Sequence, residues 1–225
     1  MNHEEFVRRL ISSVDTQGRV KARERNDLEY KETFGLNSWA AYAKTMAAFS
    51  NNCGGYIIFG VKDNPREIVG VNSGFSNFKQ EKFTESLNSL FSPEIIWETG
   101  VVEFVSFSIG YIYTYESEAK PVIALKSESS EKINSGDVYY RYRARSGKIK
   151  YPEMHKIIED RAKRERNQIL KLMETIRKSD TTNLGIVNYN NGRFSTPYGA
   201  DITVDRKLIL QVLRKAKYIK KGSFN

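Results

Sequence analysis

One cysteine and two histidines are all that this 225-residue chain offers a soft or imidazole-seeking metal. A lone thiol, Cys53, excludes an intrachain disulfide and a cysteine zinc cage. His3 and His155 are too few for a histidine-rich centre. Any metal must then be held mainly by carboxylates, which selects a hard cofactor ion, Mg or Mn. Long apolar runs are missing too. None approaches the roughly 20 residues of a membrane helix, so no membrane partner is expected. The opening Met1-Asn2-His3-Glu4-Glu5 lacks a cationic-then-apolar signal layout, so a cytoplasmic location is expected. No internal repeat or low-complexity segment is found.

Positive charge, by contrast, is plentiful. Thirty-six Lys and Arg against 27 Asp and Glu leave a net +9, which favours a polyanionic partner. The excess is clustered. Residues 141–166 carry ten basic and four acidic side chains, and Arg214, Lys215, Lys217, Lys220 and Lys221 form a second basic run.

The chain is organised around residues 46–63. Trp39, Tyr42, Met46 and Phe49 recur at helical spacing after two good caps, Asn37 and Ser38. Gly54 and Gly55 can turn the backbone. Tyr56 to Val61 reads as a strand covered on both faces, ending at Asp63 and Asn64-Pro65. Around it the pattern predicts a helix over 3–14, a strand over 28–32, a return strand over 66–71 and a helix over 76–91. Further strands are expected at 95–97, 101–109, 111–115, 122–125 and 139–143. Pro152 opens a long helix over 152–178. A hairpin turning at Asn190-Asn191-Gly192 and a helix over 205–217 complete a small last unit. The fold class is α+β, a mixed twisted sheet with flanking helices. The expected domains are 1–151 (core about 20–150), a connecting helix over 152–178, and a hairpin-helix unit over 179–225.

Period-2 geometry puts Leu28 and Tyr30 on one strand face, Glu29 and Lys31 on the other. Were this strand to pair with the central one, Glu29 and Asp63 could converge on one divalent ion, with Glu24 arriving from the preceding loop. Two or three carboxylates beside a lysine suit metal-dependent phosphodiester cleavage, in which the ion activates water and the lysine holds phosphate. Read alone, the same residues better describe a solvated sheet edge and an ordinary turn. Arg141, Arg143, Arg145, Lys148 and Lys150, interleaved with Tyr140 and Tyr142, suggest a phosphate-tracking, base-stacking surface. The bland reading is a cationic strand edge blunted against aggregation.

Glu29-Tyr30-Lys31, the run Ala47-Ala48-Phe49-Ser50-Asn51-Asn52-Cys53-Gly54-Gly55, the strand end Gly60-Val61-Lys62-Asp63 and Tyr140-Arg141-Tyr142-Arg143 together resemble the Schlafen-type AlbA domain. The resemblance covers roughly residues 20–150. It implies a nucleic-acid-binding module. Some Schlafen proteins cut tRNA and rRNA with a Glu, Glu, Asp metal triad, whose first Glu lies five residues before the second. Glu24, Glu29 and Asp63 match those positions, and Lys31 matches the motif lysine. The resemblance therefore implies an endoribonuclease, with RNA favoured over DNA as partner. The alternative is a non-catalytic regulatory or defence-sensor module. The nuclease members build their groove from two such lobes, so a homodimer would be needed to form a comparable clamp. Gly54-Gly55 follows a helix and precedes a strand with no Gly-Lys-Ser/Thr after it, the wrong order for a phosphate loop.

Overall fold

The apolar run behind the glycine pair is the spine of the molecule. The structure, a computed structural model, describes residues 2–178, 186–188, 193–195, 201–203, 205 and 207. The chain forms two compact units, residues 1–159 and 160–225.

In the first unit, α1 (His3–Ser12) is capped by the Asn2 side chain, which accepts the Glu5 N–H at 3.3 Å. Then come β1 (Leu28–Lys31), α2 (Trp39–Asn51) and β2 (Gly55–Phe59). They are followed by α3 (Ser73–Ser76), α4 (Gln80–Leu90), β3 (Phe91–Ser92), β4 (Trp97–Phe104) and β5 (Phe107–Thr114). β6 (Ile123–Ala124), β7 (Tyr139–Tyr142), β8 (Arg145–Lys148) and α5 (Tyr151–Lys178) follow, α5 running on past the boundary between the units. A four-stranded mixed sheet has the order β1-β2-β5-β4, with β1 parallel to β2 and the other pairs antiparallel. β7 and β8 form a separate hairpin, and β3 pairs with β6.

Two cores cover the two sheet faces. On one, Ile57 and Phe59 meet Tyr42, Met46 and Phe49 of α2 and Phe83, Leu87 and Leu90 of α4. On the other, Leu28, Tyr30, Tyr56 and Ile58 meet Val7, Leu10 and Ile11 of α1. The alternation expected for β1 is therefore observed, and it sends Glu29 and Lys31 away from the α1 core.

The end of α2 is a polar clasp. Gly54 sits at φ +75, where its N–H reaches the Phe49 carbonyl at 2.9 Å, and a Cβ there would lie 2.8 Å from the Thr114 oxygen. Ser50 donates to the Tyr115 carbonyl. Asn51 donates to the Val122 and Tyr139 carbonyls and accepts the Val122 N–H, while Asn52 donates to the Arg141 carbonyl. This row of short polar side chains fastens β7, and with it Arg141, to the helix end.

Some elements differ from the sequence expectation. The return strand over 66–71 is reduced to a single bridge, Val61 with Ile68. The segment still returns antiparallel after Asp63–Pro65, the Lys62 N–H meeting the Glu67 carbonyl at 3.0 Å and the Val69 N–H the Gly60 carbonyl at 2.9 Å. Gly60, at φ +95, packs so closely on Gly70 that a Cβ would meet the Gly70 carbonyl carbon at 2.6 Å. The expected strand over 101–109 is two strands joined at Val105, which is 92% exposed with φ 56. The turn is Val105-Ser106, and a valine at positive φ is not what a turn pattern predicts. The helix expected over 76–91 is α4, starting at Gln80, with the single turn of α3 just before it. In α5, Ile157 is buried, whereas Ile158, Ile169, Leu172 and Met173 are exposed. In the second unit, β9 (Ile186–Asn188) and β10 (Arg193–Ser195) pair antiparallel as expected, and β11 (Asp201–Thr203) adds an unexpected third strand. The turn at 190–192, the basic run over 214–221 and nearly all of the helix over 205–217 lie outside the described residues. Among the described residues no helix is long and apolar enough to cross a membrane.

Candidate nucleic-acid and metal site

Parallel pairing brings the ends of β1 and β2 to one place. Lys31 lies opposite Phe59, and its carbonyl accepts the N–H groups of Gly60 and Val61. Lys62 and Asp63 therefore leave β2 beside the end of β1. Lys62 lies 3.8 Å from Glu32 and 3.6 Å from Glu67.

Glu29, only 8% exposed, is held on both carboxylate oxygens. Lys31 Nζ donates to Oε1 at 2.6 Å, and Arg141 donates to Oε2. Arg141 is 2% exposed, a correction to its expected place on a cationic surface. On β7 it shares the inward face with Tyr139. Its guanidinium also donates to the Leu28 carbonyl at 3.2 Å, the Arg25 carbonyl at 3.3 Å and the Ser146 hydroxyl at 3.1 Å, and it lies over the Phe49 ring. A planar five-donor fork suits this task better than an ammonium would. Arg141 thus clamps β1 to the β7–β8 hairpin.

Glu24 returns alongside the free edge of β1. Its Oε1 accepts the Tyr30 N–H at 2.9 Å. Burial pushes the Glu24 carboxyl above its ordinary value; the Tyr30 hydrogen bond opposes this, and the nearby charges of Glu29 and Asp63 add to it. The three acids thus share one electrostatic neighbourhood with Lys31. Asp63 is exposed, and its carboxylate has no hydrogen-bond or ion-pair partner among the described residues. Among those residues no three His, Cys, Asp or Glu side chains are assembled closely enough to hold a metal ion. As donors, Glu24 and Asp63 suit a hard divalent ion. Glu29 is already shared between two cations.

A carboxyl whose pKa is raised by folding stabilises the fold in its protonated form. That contribution is present in full below the unfolded pKa, near 4.5, and is lost as pH rises through the folded one. Glu24→Gln keeps the oxygen that accepts from Tyr30 and removes the charge. The variant should therefore be more stable than wild type at neutral pH, with the difference shrinking toward about pH 4. Urea unfolding at both pH values checks this, and an equal difference at both would contradict it.

The hairpin over the site carries the remaining cations. Arg143, at the turn with φ 54, and Arg145 are exposed and have no acidic partner among the described residues. Lys148 lies 2.8 Å from Asp137, and Lys150 Nζ lies 5.2 Å from the centroid of the Tyr142 ring. Tyr140 and Tyr142 are half-buried on the outward face of β7 with ring centroids 5.4 Å apart. Their hydroxyls are tied down, Tyr140 donating to Asn52 and Tyr142 to Glu153. Cys53 carries no sign of nucleophilic use: desolvation, then the negative charges of Asp27 and Glu116, hold its thiol above the usual range.

Sequence reasoning missed the Arg141–Glu29 pair. The available signal was strand parity, because Tyr139 and Arg141 share a face and Tyr139 is a core residue.

A family profile described as Schlafen, AlbA_2 matches residues 24–150. The chain is 52% identical over 237 residues to an uncharacterized ATP-binding protein of Ureaplasma parvum serovar 3, aligning 99% of this chain with 67% of that one. Among solved structures it is similar to the DIP2311 protein of Corynebacterium diphtheriae, at TM-score 0.44 and 14% identity, over 64% of this chain and 30% of that protein. It is also similar to the N-terminal domain of a RecG-related protein from Nitrosomonas europaea, at TM-score 0.37 and 17% identity, over 67% of this chain and 93% of that domain.

Proposed function

The chain belongs to the Schlafen AlbA_2 family, and from that membership we propose that it binds nucleic acid and cleaves structured RNA such as tRNA in a divalent-metal-dependent reaction. The observation that carries the proposal is the meeting at the ends of β1 and β2 of Glu24, held on the Tyr30 N–H, Glu29, paired with Lys31, and the exposed Asp63, with two arginines on the β7–β8 hairpin that have no acidic partner among the described residues.

Arg143 and Arg145 would hold backbone phosphates, with Lys148 and Lys150 at the margin and the rings of Tyr140 and Tyr142 available for stacking. Lys31, half-exposed beside Glu29, would place a phosphate oxygen over the carboxylates. Glu24 and Asp63 would hold a magnesium or manganese ion, with Glu29, fixed by Arg141 and Lys31, as the neighbouring third carboxylate. Such an ion supplies a more acidic bound water and neutralises charge on the leaving oxygen. A second copy of the chain would add the opposite wall of the groove.

The Ureaplasma relative's description as ATP-binding supports a second reading, nucleotide binding. The glycine pair is not a phosphate loop, because the Gly54 N–H is spent on the Phe49 carbonyl at the end of α2. A nucleotide would have to bind elsewhere.

The test is purified protein with tRNA, with and without manganese. Manganese-dependent cleavage, abolished by chelation, is expected, on top of binding that weakens steeply with salt. Salt-sensitive binding with no turnover would leave a binding module in place of an enzyme.

A further inference from the structure

Away from the carboxylates, the first unit has a groove of ≈ 460 Å³ lined by Leu36, Trp39, Asn77, Phe78, Lys79, Lys82, Phe83 and Ser86. Its volume lies in the range of small-molecule sites. Three features of the lining bear on what it takes.

The floor is aromatic. Phe78 and Phe83 are fixed by contacts with each other and with Trp97. Trp39 is different: it is half-buried, and its indole has no ring partner and no hydrogen bond for its N–H among the described residues. It presents a ring already held in place by α2. The wall is Leu36, 56% exposed. The rim is cationic. Lys79 and Lys82 stand three residues apart at the start of α4, on one side of the chain, and neither ammonium has an ion-pair partner among the described residues.

A flat apolar platform beside two unpaired ammonium groups matches a ligand with an aromatic plane at one end and an anion at the other. We propose that this groove binds a nucleotide, with the base against Trp39 and the phosphate at Lys79 and Lys82. A purely apolar occupant would leave the lysines without purpose, and a bare anion would leave the aromatic floor unused. The same chemistry is offered by free ATP and by one unstacked nucleotide of a single strand. Leu36 follows Lys31 by five residues, so their Cα atoms lie within about 18 Å of each other. The assignment does not depend on metal or cleavage chemistry.

The chain has two tryptophans, so Trp97→Phe leaves Trp39 as the sole reporter. ATP, adenosine, inorganic phosphate and a single-stranded oligoadenylate are titrated against its fluorescence. Saturable quenching is expected from ATP, the oligonucleotide or both, and weaker responses from adenosine and from phosphate alone. Lys79→Gln with Lys82→Gln, both on the surface, should weaken the binding about tenfold with the fold intact. Quenching by ATP alone assigns a free-nucleotide site, and quenching by the oligonucleotide alone assigns a strand-binding one. Equilibrium dialysis of labelled ATP and oligonucleotide on the chain with both tryptophans repeats the comparison without the reporter substitution. No saturable binding of either up to about 1 mM, or equal affinity in the double-lysine variant, overturns the proposal.

Discussion

Arg141→Ala will destabilise the first unit by about 3–5 kcal/mol, the cost of leaving a buried charge without its partner. Arg141 is 2% and Glu29 8% exposed, so solvent cannot replace what the substitution removes. The Leu28 and Arg25 carbonyls lose a donor as well. Lysine will not rescue the site, because one ammonium cannot span four acceptors in a plane. Combining Arg141→Ala with Glu29→Gln should recover a large part of the loss, since the stranded carboxylate is then gone. Denaturant unfolding of the two single variants and the double closes the cycle. Additive losses, or a cost for Arg141→Ala below about 1 kcal/mol, in the range of an exposed pair, would contradict the clamp.

Asp63→Ala is expected to have the opposite profile. Asp63 is exposed and makes no hydrogen bond or ion pair among the described residues, so its removal should leave stability nearly unchanged. If it ligates the ion that activates water, RNA cleavage should fall on the order of 10²–10³-fold, as when one electrostatic element of a transition-state site is deleted. RNA affinity should barely move, because phosphate binding rests on Arg143 and Arg145. Glu29→Ala is a poorer probe, since it also strands Arg141. Rate and affinity measured on one preparation separate the two roles. Unchanged cleavage would remove Asp63 from the chemistry.

The halves of the site differ in how far the sequence reveals them. Glu29 and Lys31 were legible because β1 is a regular strand whose apolar partners, Leu28 and Tyr30, fix its parity. The junction after α2 was legible because positive φ at Gly54 and the apolar run behind it each have one easy explanation. At Arg141 the charge pattern and the strand parity point opposite ways. An arginine between tyrosines looks like a surface, and only a core position for Tyr139 turns it inward. The return after Asp63 keeps its antiparallel direction but only one bridge, because Gly60 and Gly70 meet backbone on backbone, a contact that hydrophobic alternation does not record. The groove at Trp39 was invisible because it joins α2 to α4 across 40 residues of chain.

Manganese binding tests the central claim most directly: that Glu24 and Asp63, far apart in the chain, face one shared space beside Glu29. The free ion is followed by electron paramagnetic resonance as each protein is titrated. Wild type should bind one ion per chain, and Glu24→Gln and Asp63→Asn, each folded, should each bind it at least about tenfold more weakly. Equal binding by all three proteins, or none by wild type, would contradict it.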